Sequence, residues 1–282
     1  MCSRRGGGNL ELAPQDFRRI EKLTKKCDIS DIEHYYKNKN GFTLAEILIT
    51  LGVIGFVVAM TMPVLIANYQ KKVTVVKLKK EYSELNSVLK QAVVDYGSTS
   101  TWTDWPSDVW NKDGLSEQWV NKYIIPYTKV LKHGDIYQNS KLGLPTVVDL
   151  NGGANAATTS YSIVKPDGVI WGFMPNVNNG TGVRVHIYIN IPKNKKAVLG
   201  KDVFTFVIYS SDKNIVKAWG QGHTRSELMA EGGMPNSSPQ NELPNSGSCN
   251  KMGRSNSYAL PGAACAALIM LDGWQIKSDY PW

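Results

Sequence analysis

Between Phe42 and Ala67 the chain runs for 26 residues with a single charge, Glu46. As a helix, at 1.5 Å per residue, this stretch would span about 39 Å. That exceeds the ~30 Å hydrocarbon core of a bilayer. A secretory signal has an apolar run of only ~7–15 residues, ended by a small-x-small cleavage site. The segment is too long for that, and no such site follows it. Hydropathy alone therefore gives a membrane anchor for a soluble domain. Glu46 asks for more. A carboxylate a few residues inside an apolar helix is costly in lipid, which points to a function for it.

The rest of the 282 residues is ordinary globular material. Forty-two per cent apolar and 20% charged residues exclude wholesale disorder. The net charge of +8 is spread thinly, with nine Lys/Arg and six Asp/Glu in residues 1–41. A nucleic-acid-binding domain concentrates its charge on one face. Only Lys71 to Lys80 does so here, so no nucleic-acid partner is expected. That cluster suits the membrane surface where a helix leaves the bilayer. Charge counting by itself would keep the C-terminal side inside, because Lys71, Lys72, Lys77, Lys79 and Lys80 outnumber Lys37 and Lys39.

Lys39-Asn40-Gly41-Phe42-Thr43-Leu44-Ala45-Glu46, with the apolar helix after it, resembles the cleavage and methylation signature of type IV prepilins and type II secretion pseudopilins. The resemblance is tight over residues 37–67. It implies that a prepilin peptidase cuts after Gly41 on the cytoplasmic side and N-methylates Phe42. It implies that Glu46 pairs with the new α-amine during assembly, and that Pro63 is the family's helix-bending proline. Partners would be the peptidase, membrane lipid and other pilin or pseudopilin subunits. The location would be a single pass through the cytoplasmic membrane, with the C-terminal domain outside. Glycine at the cut lets protease groups approach the backbone. A freed ammonium needs a partner before it enters an apolar bundle. By axial rise Glu46 is ~6 Å from that amine, which favours a neighbouring chain over the same one. The 41-residue leader is longer than the family pattern.

Past residue 67 the helix is expected to continue. Val75, Leu78, Tyr82, Leu85, Leu89, Ala92 and Tyr96 make an apolar stripe opposite Lys79, Lys80, Glu84 and Lys90, and Gly97 is a stop signal. One helix from Leu44 to Tyr96 follows. Residues 98–282 read as short strands and turns behind a connector carrying Trp102, Trp105, Trp110 and Trp119. Ser160–Lys165 and Val169–Met174 flank Pro166-Asp167-Gly168, a hairpin signal. Val183–Ile191 and Asp202–Tyr209 are two stronger strands, and 230–257 a long loop. The expected fold is α+β, a membrane-spanning helix continuing into an amphipathic helix packed on an antiparallel sheet. Four parts result: a cleaved leader (1–41), a transmembrane helix (42–67), its amphipathic continuation (68–97) and an extracytoplasmic domain (98–282).

Cys249 and Cys265 are the two cysteines beyond the leader. Closing the loop of about 16 residues between them would contribute roughly 3 kcal/mol, and two buried thiols are the alternative. The pilin resemblance implies the disulfide. No catalytic signature appears. His34, His133, His186 and His223 have no metal-ligand spacing, and Gly180-Thr181-Gly182 and Gly220-Gln221-Gly222 lack a nucleotide fingerprint. Asp149-Leu150-Asn151-Gly152 and Asp272-Gly273 offer too few acidic ligands for calcium. Neither enzyme activity, metal nor cofactor is expected. The sequence supports a structural subunit of a type IV pilus or secretion pseudopilus, with an anchored binding protein that only borrows the export signal as the alternative.

Overall fold

The structure is a computed structural model that describes residues 41–153, 157–175, 182–192, 196–211, 215–231, 233–234, 247–252 and 260–282. The leader, including Lys37, Lys39 and His34, lies outside the described residues. So do Gly180, Thr181 and most of the 230–257 loop. The chain divides into two compact units, Met1–Val64 and Leu65–Trp282. One helix, α1 (Leu44–Tyr96, 53 residues), starts in the first and ends in the second. Its C-terminal stop is Gly97, at φ 78°, whose amide bonds to the Val93 carbonyl at 2.9 Å. Only glycine takes that left-handed cap without strain.

In the first unit α1 is apolar and exposed throughout. Leu48, Phe56 and Met60 are each more than 60% exposed. The hydroxyls of Thr50 and Thr61 donate back to the carbonyls of Ile47 (3.0 Å) and Val57 (2.9 Å). They satisfy themselves within the helix, as lipid requires. The helix is unbroken through Pro63, the one proline inside it.

In the second unit, α2 (Leu115–Tyr123) is followed by β1 (Lys132–Asp135), β2 (Thr146–Val148), β3 (Tyr161–Val164), β4 (Ile170–Pro175), β5 (Gly182–Tyr188), β6 (Lys196–Val198), β7 (Val203–Tyr209) and β8 (Val216–Ala218). Two short helices, α3 (Arg225–Leu228) and α4 (Cys265–Leu271), come after them. Six strands form an antiparallel sheet in the order β1-β3-β4-β5-β7-β8. The hairpin expected around Pro166-Asp167-Gly168 is β3–β4, with Gly168 at φ 82°. β2 and β6 pair in parallel as a separate ribbon, which the sequence did not suggest.

The sheet register puts Ile163, Trp171, Ile187 and Phe204 in one cross-strand row and Tyr161, Phe173, Val185 and Phe206 in the next. This apolar face receives α1. Leu78, Leu85 and Leu89 are at most 1% exposed, and Tyr82 stacks on Phe206 at 5.4 Å between ring centroids. Each fully buried leucine contributes about 1.5–3 kcal/mol. The other face carries the row Ser162, Gly172, His186 and Thr205. His186 bonds Thr205 Oγ1 at 3.1 Å, and burial, then Arg184, lowers its pKa to about 3, so it stays neutral.

The stripe on α1 needs correction at four positions. Thr74, Glu81 and Val88 are buried within it, whereas Tyr96 is 43% exposed. The strand expected at Val183–Ile191 stops at Tyr188, and Ile191 is exposed. The connector tryptophans divide as well. Trp102, Trp105 and Trp119 are buried together, with Trp102 stacked on Tyr123 at 3.8 Å, while Trp110 is exposed. The aromatic enrichment therefore builds core rather than a binding surface.

Candidate processing and assembly site

Gly41, Phe42 and Thr43 are non-helical residues immediately before α1. All three are exposed, and a Cβ built on Gly41 would meet nothing within 4 Å. The Gly41–Phe42 peptide bond is thus open to a protease. Phe42 presents a bare ring, 83% exposed.

Thr43 and Glu46 form a reciprocal cap on the first turn of α1. The Thr43 amide and hydroxyl donate to Glu46 Oε2 at 2.8 and 2.9 Å, and the Glu46 amide donates to Thr43 Oγ1 at 3.2 Å. The Thr-x-x-Glu spacing is the sequence signature of such a box, and it went unnoticed beside the stronger prepilin pattern. The cap changes the expected geometry. An axial rise of ~6 Å suggested that a neighbouring chain's amine was the better partner for the carboxylate. Its side chain instead folds back to the amide of Thr43, one residue from Phe42. Glu46 is therefore already oriented toward the position where cleavage after Gly41 would create an ammonium.

Farther along α1, Glu81 faces the sheet. Lys165, at the end of β3, places Nζ 2.7 Å from Glu81 Oε2 and 2.7 Å from Glu84 Oε2. Trp171 Nε1 donates to the same Glu81 oxygen at 2.9 Å, and Thr128 Oγ1 donates to Glu84 Oε1 at 2.9 Å. Lys165 and Glu81 are 3% and 1% exposed. A buried pair with further hydrogen bonds is costly to break from one side. Here it fixes the rotation and height of α1 on the hairpin.

Cys249 and Cys265 are bonded, 16 residues apart in sequence. The bridge ties residue 249, within the long 230–257 loop, to α4. It lies against Gly200, at φ 84°, where a Cβ would come within 2.6 Å of Cys265 Sγ. Disulfides persist in oxidising compartments, which fits an exported domain. Cys265→Ser should lower the unfolding free energy by about 3 kcal/mol. Urea titration of oxidised protein checks this, and the reduced parent should show a similar loss.

The remaining candidates have local partners. Asp149 accepts the amides of Asn151 (3.0 Å) and Gly153 (2.7 Å), closing its own turn. Asp272 is held by Arg225 (2.9 Å) and Lys277 (2.6 Å) rather than offered to a cation. His133 meets the Tyr161 hydroxyl at 2.6 Å, and His223 is 3.6 Å from Glu227. Among the described residues, no group of three or more His, Cys, Asp or Glu is placed to hold a metal ion.

Two family comparisons divide the chain close to the boundary between its units. Residues 36–62 match the prokaryotic N-terminal methylation motif. Residues 64–282, more than three quarters of the chain, match a family of unknown function, DUF6613. No curated protein and no solved structure matches. The methylation motif covers the Gly41–Phe42 junction, the Thr43–Glu46 cap and most of the exposed apolar helix. The chain belongs to the DUF6613 family and is a pilin-like, membrane-anchored protein with a prepilin-type signal.

Proposed function

We propose that this chain is a subunit of a type IV pilus or type II secretion pseudopilus. A prepilin peptidase removes residues 1–41 and N-methylates Phe42. Residues 42–67 then hold the protein in the cytoplasmic membrane, residues 68–97 carry the helix into the exported domain, and residues 98–282 form that domain. On assembly the apolar helix leaves lipid for a bundle of like helices, and Glu46 neutralises the Phe42 ammonium there. The supporting observation is the exposed apolar half of α1, which carries one carboxylate beside an accessible Gly–Phe junction. An apolar surface this long must be covered by lipid or by other subunits.

The alternative, an anchored binding protein, would gain support from a Trp-rich connector that offered its rings as a contact surface. Burial of Trp102, Trp105 and Trp119 removes that support. A structural role also fits the absence of a catalytic signature in the sequence. The test is fractionation of native cells. The processed chain should be enriched in sheared or cross-linked polymer together with other prepilin-type subunits. Processed chain found only as membrane monomer, while the filaments of the same cells are intact, would favour the binding protein.

A further inference from the structure

The second unit begins with exposed Leu65, Ile66 and Tyr69 on α1, and basic residues follow at once. Asn68, Lys71 and Lys72 form one wall of a groove of about 650 Å³ whose opposite wall is Trp274, Gln275 and Ile276. Val75 and the exposed Val76 also line it, and among the described residues none of its lining is acidic. The nearby Asp272 is already matched by Arg225 and Lys277.

Trp274 is held in an unusual position for its type. Its φ is 60°, the left-handed region that bulky residues avoid. Its amide bonds the Ile269 carbonyl at 2.8 Å, and its ring lies 5.7 Å from Tyr82 and 5.9 Å from Lys79 Nζ. Strain of this kind invites a functional explanation. A second groove of about 300 Å³ also pairs tryptophan with lysine, Lys201 Nζ lying 5.3 Å over the Trp282 ring near Tyr69 and Ile191, although Asp202 lines it as well. Tryptophan beside lysine is the usual composition of a membrane–water interface.

The depth agrees. Asn68 to Lys72 lie one to five residues beyond Ala67, about 1.5–7.5 Å along the helix axis. The polar layer outside the hydrocarbon core is roughly 5–7 Å thick on each side. We propose that the groove between Asn68–Lys72 and Trp274–Ile276 binds the phosphate-bearing headgroup of an anionic phospholipid in the outer leaflet. Lys71 and Lys72 meet the phosphate, while Trp274 and Ile276 close the opposite wall of the groove. The site would hold the exported unit against the bilayer until the subunit is extracted for assembly. This rests on the membrane-anchored reading of α1.

The experiment uses the full chain in nanodiscs of phosphatidylcholine, with and without phosphatidylglycerol. It reads incorporation, amide exchange at residues 274–277 and, by native mass spectrometry, the lipid retained. A lysine near an anionic surface contributes a factor of about five, so two contribute about 30-fold. Phosphatidylglycerol should slow exchange at 274–277 and be retained over phosphatidylcholine. Lys71→Gln with Lys72→Gln should lose up to about 30-fold of that preference, while exchange in β5 and β7 stays unchanged. Equal protection in both lipids would overturn the proposal. So would protection reproduced by inorganic phosphate in phosphatidylcholine discs, or protection that appears only with two chains per disc. A chain that incorporates into neither disc would instead overturn the anchored reading, and this site with it.

Discussion

Lys165→Met should destabilise the second unit by about 3–5 kcal/mol. Lys165 Nζ sits 2.7 Å from carboxylate oxygens of both Glu81 and Glu84, and Glu81 is 1% exposed. Removing the ammonium leaves Glu81 with the Trp171 indole N–H and with Lys80, 3.3 Å away, whose side chain is more than half exposed. An exposed lysine screened by water is a weak substitute. For a unit of this size the loss corresponds to a fall in Tm on the order of 10 °C. Thermal unfolding of detergent-solubilised protein measures it. The double variant Glu81→Gln with Lys165→Met removes both charges, and it should recover much of the stability. A single-variant shift of less than about 0.5 kcal/mol would show that Lys80 and Trp171 satisfy Glu81 without Lys165.

Glu46→Val should sharply reduce or abolish polymer incorporation while leaving cleavage, membrane insertion and the Cys249–Cys265 bond intact. The variant removes the one charge in the apolar segment, so insertion into lipid should if anything improve. What it loses is the partner of the Phe42 ammonium. Burying that charge unpaired in a helix bundle is strongly unfavourable. The Thr43–Glu46 cap refines the expectation, because the carboxylate already points toward its own N-terminus. On the proposed function, a free monomer would neutralise its own amine, and assembly would then exchange or share that contact with a neighbour. Thr43→Val, which removes only the hydroxyl contacts, should weaken incorporation far less. Immunoblots of sheared polymer beside membrane monomer distinguish the variants. Normal incorporation of Glu46→Val would show that the pairing is dispensable.

The parts of the fold legible in the sequence were those set by local pattern. The limits of α1 followed from an unbroken apolar run, a three-and-four stripe and Gly97. The β3–β4 hairpin followed from Pro166-Asp167-Gly168 between two apolar runs, and the Cys249–Cys265 bond was what the pilin resemblance implied, with two buried thiols as the alternative. Long-range pairing was not legible. Glu81 lies on the buried side of the helix because Lys165 waits 84 residues later, and no local period encodes such a partner. Nothing near Trp274 in the sequence reveals that this segment returns to α1 in the second unit. At the candidate site, Gly41, Phe42 and Glu46 were readable as a pattern. The fold-back of Glu46 onto Thr43 is signalled by the Thr-x-x-Glu spacing and not by axial rise, which sets the backbone offset but not the reach of a side chain.

Assembly through α1 presupposes that Phe42 is a chain terminus. Intact mass and N-terminal sequencing of membrane-extracted protein, from native cells with an active prepilin peptidase, address this directly. The expected result is a mature chain that begins at N-methyl-Phe42 and lacks residues 1–41, with a bulky or charged residue in place of Gly41 blocking the cut. A mature chain that retains residues 30–41, or that begins downstream of Phe42, would contradict it.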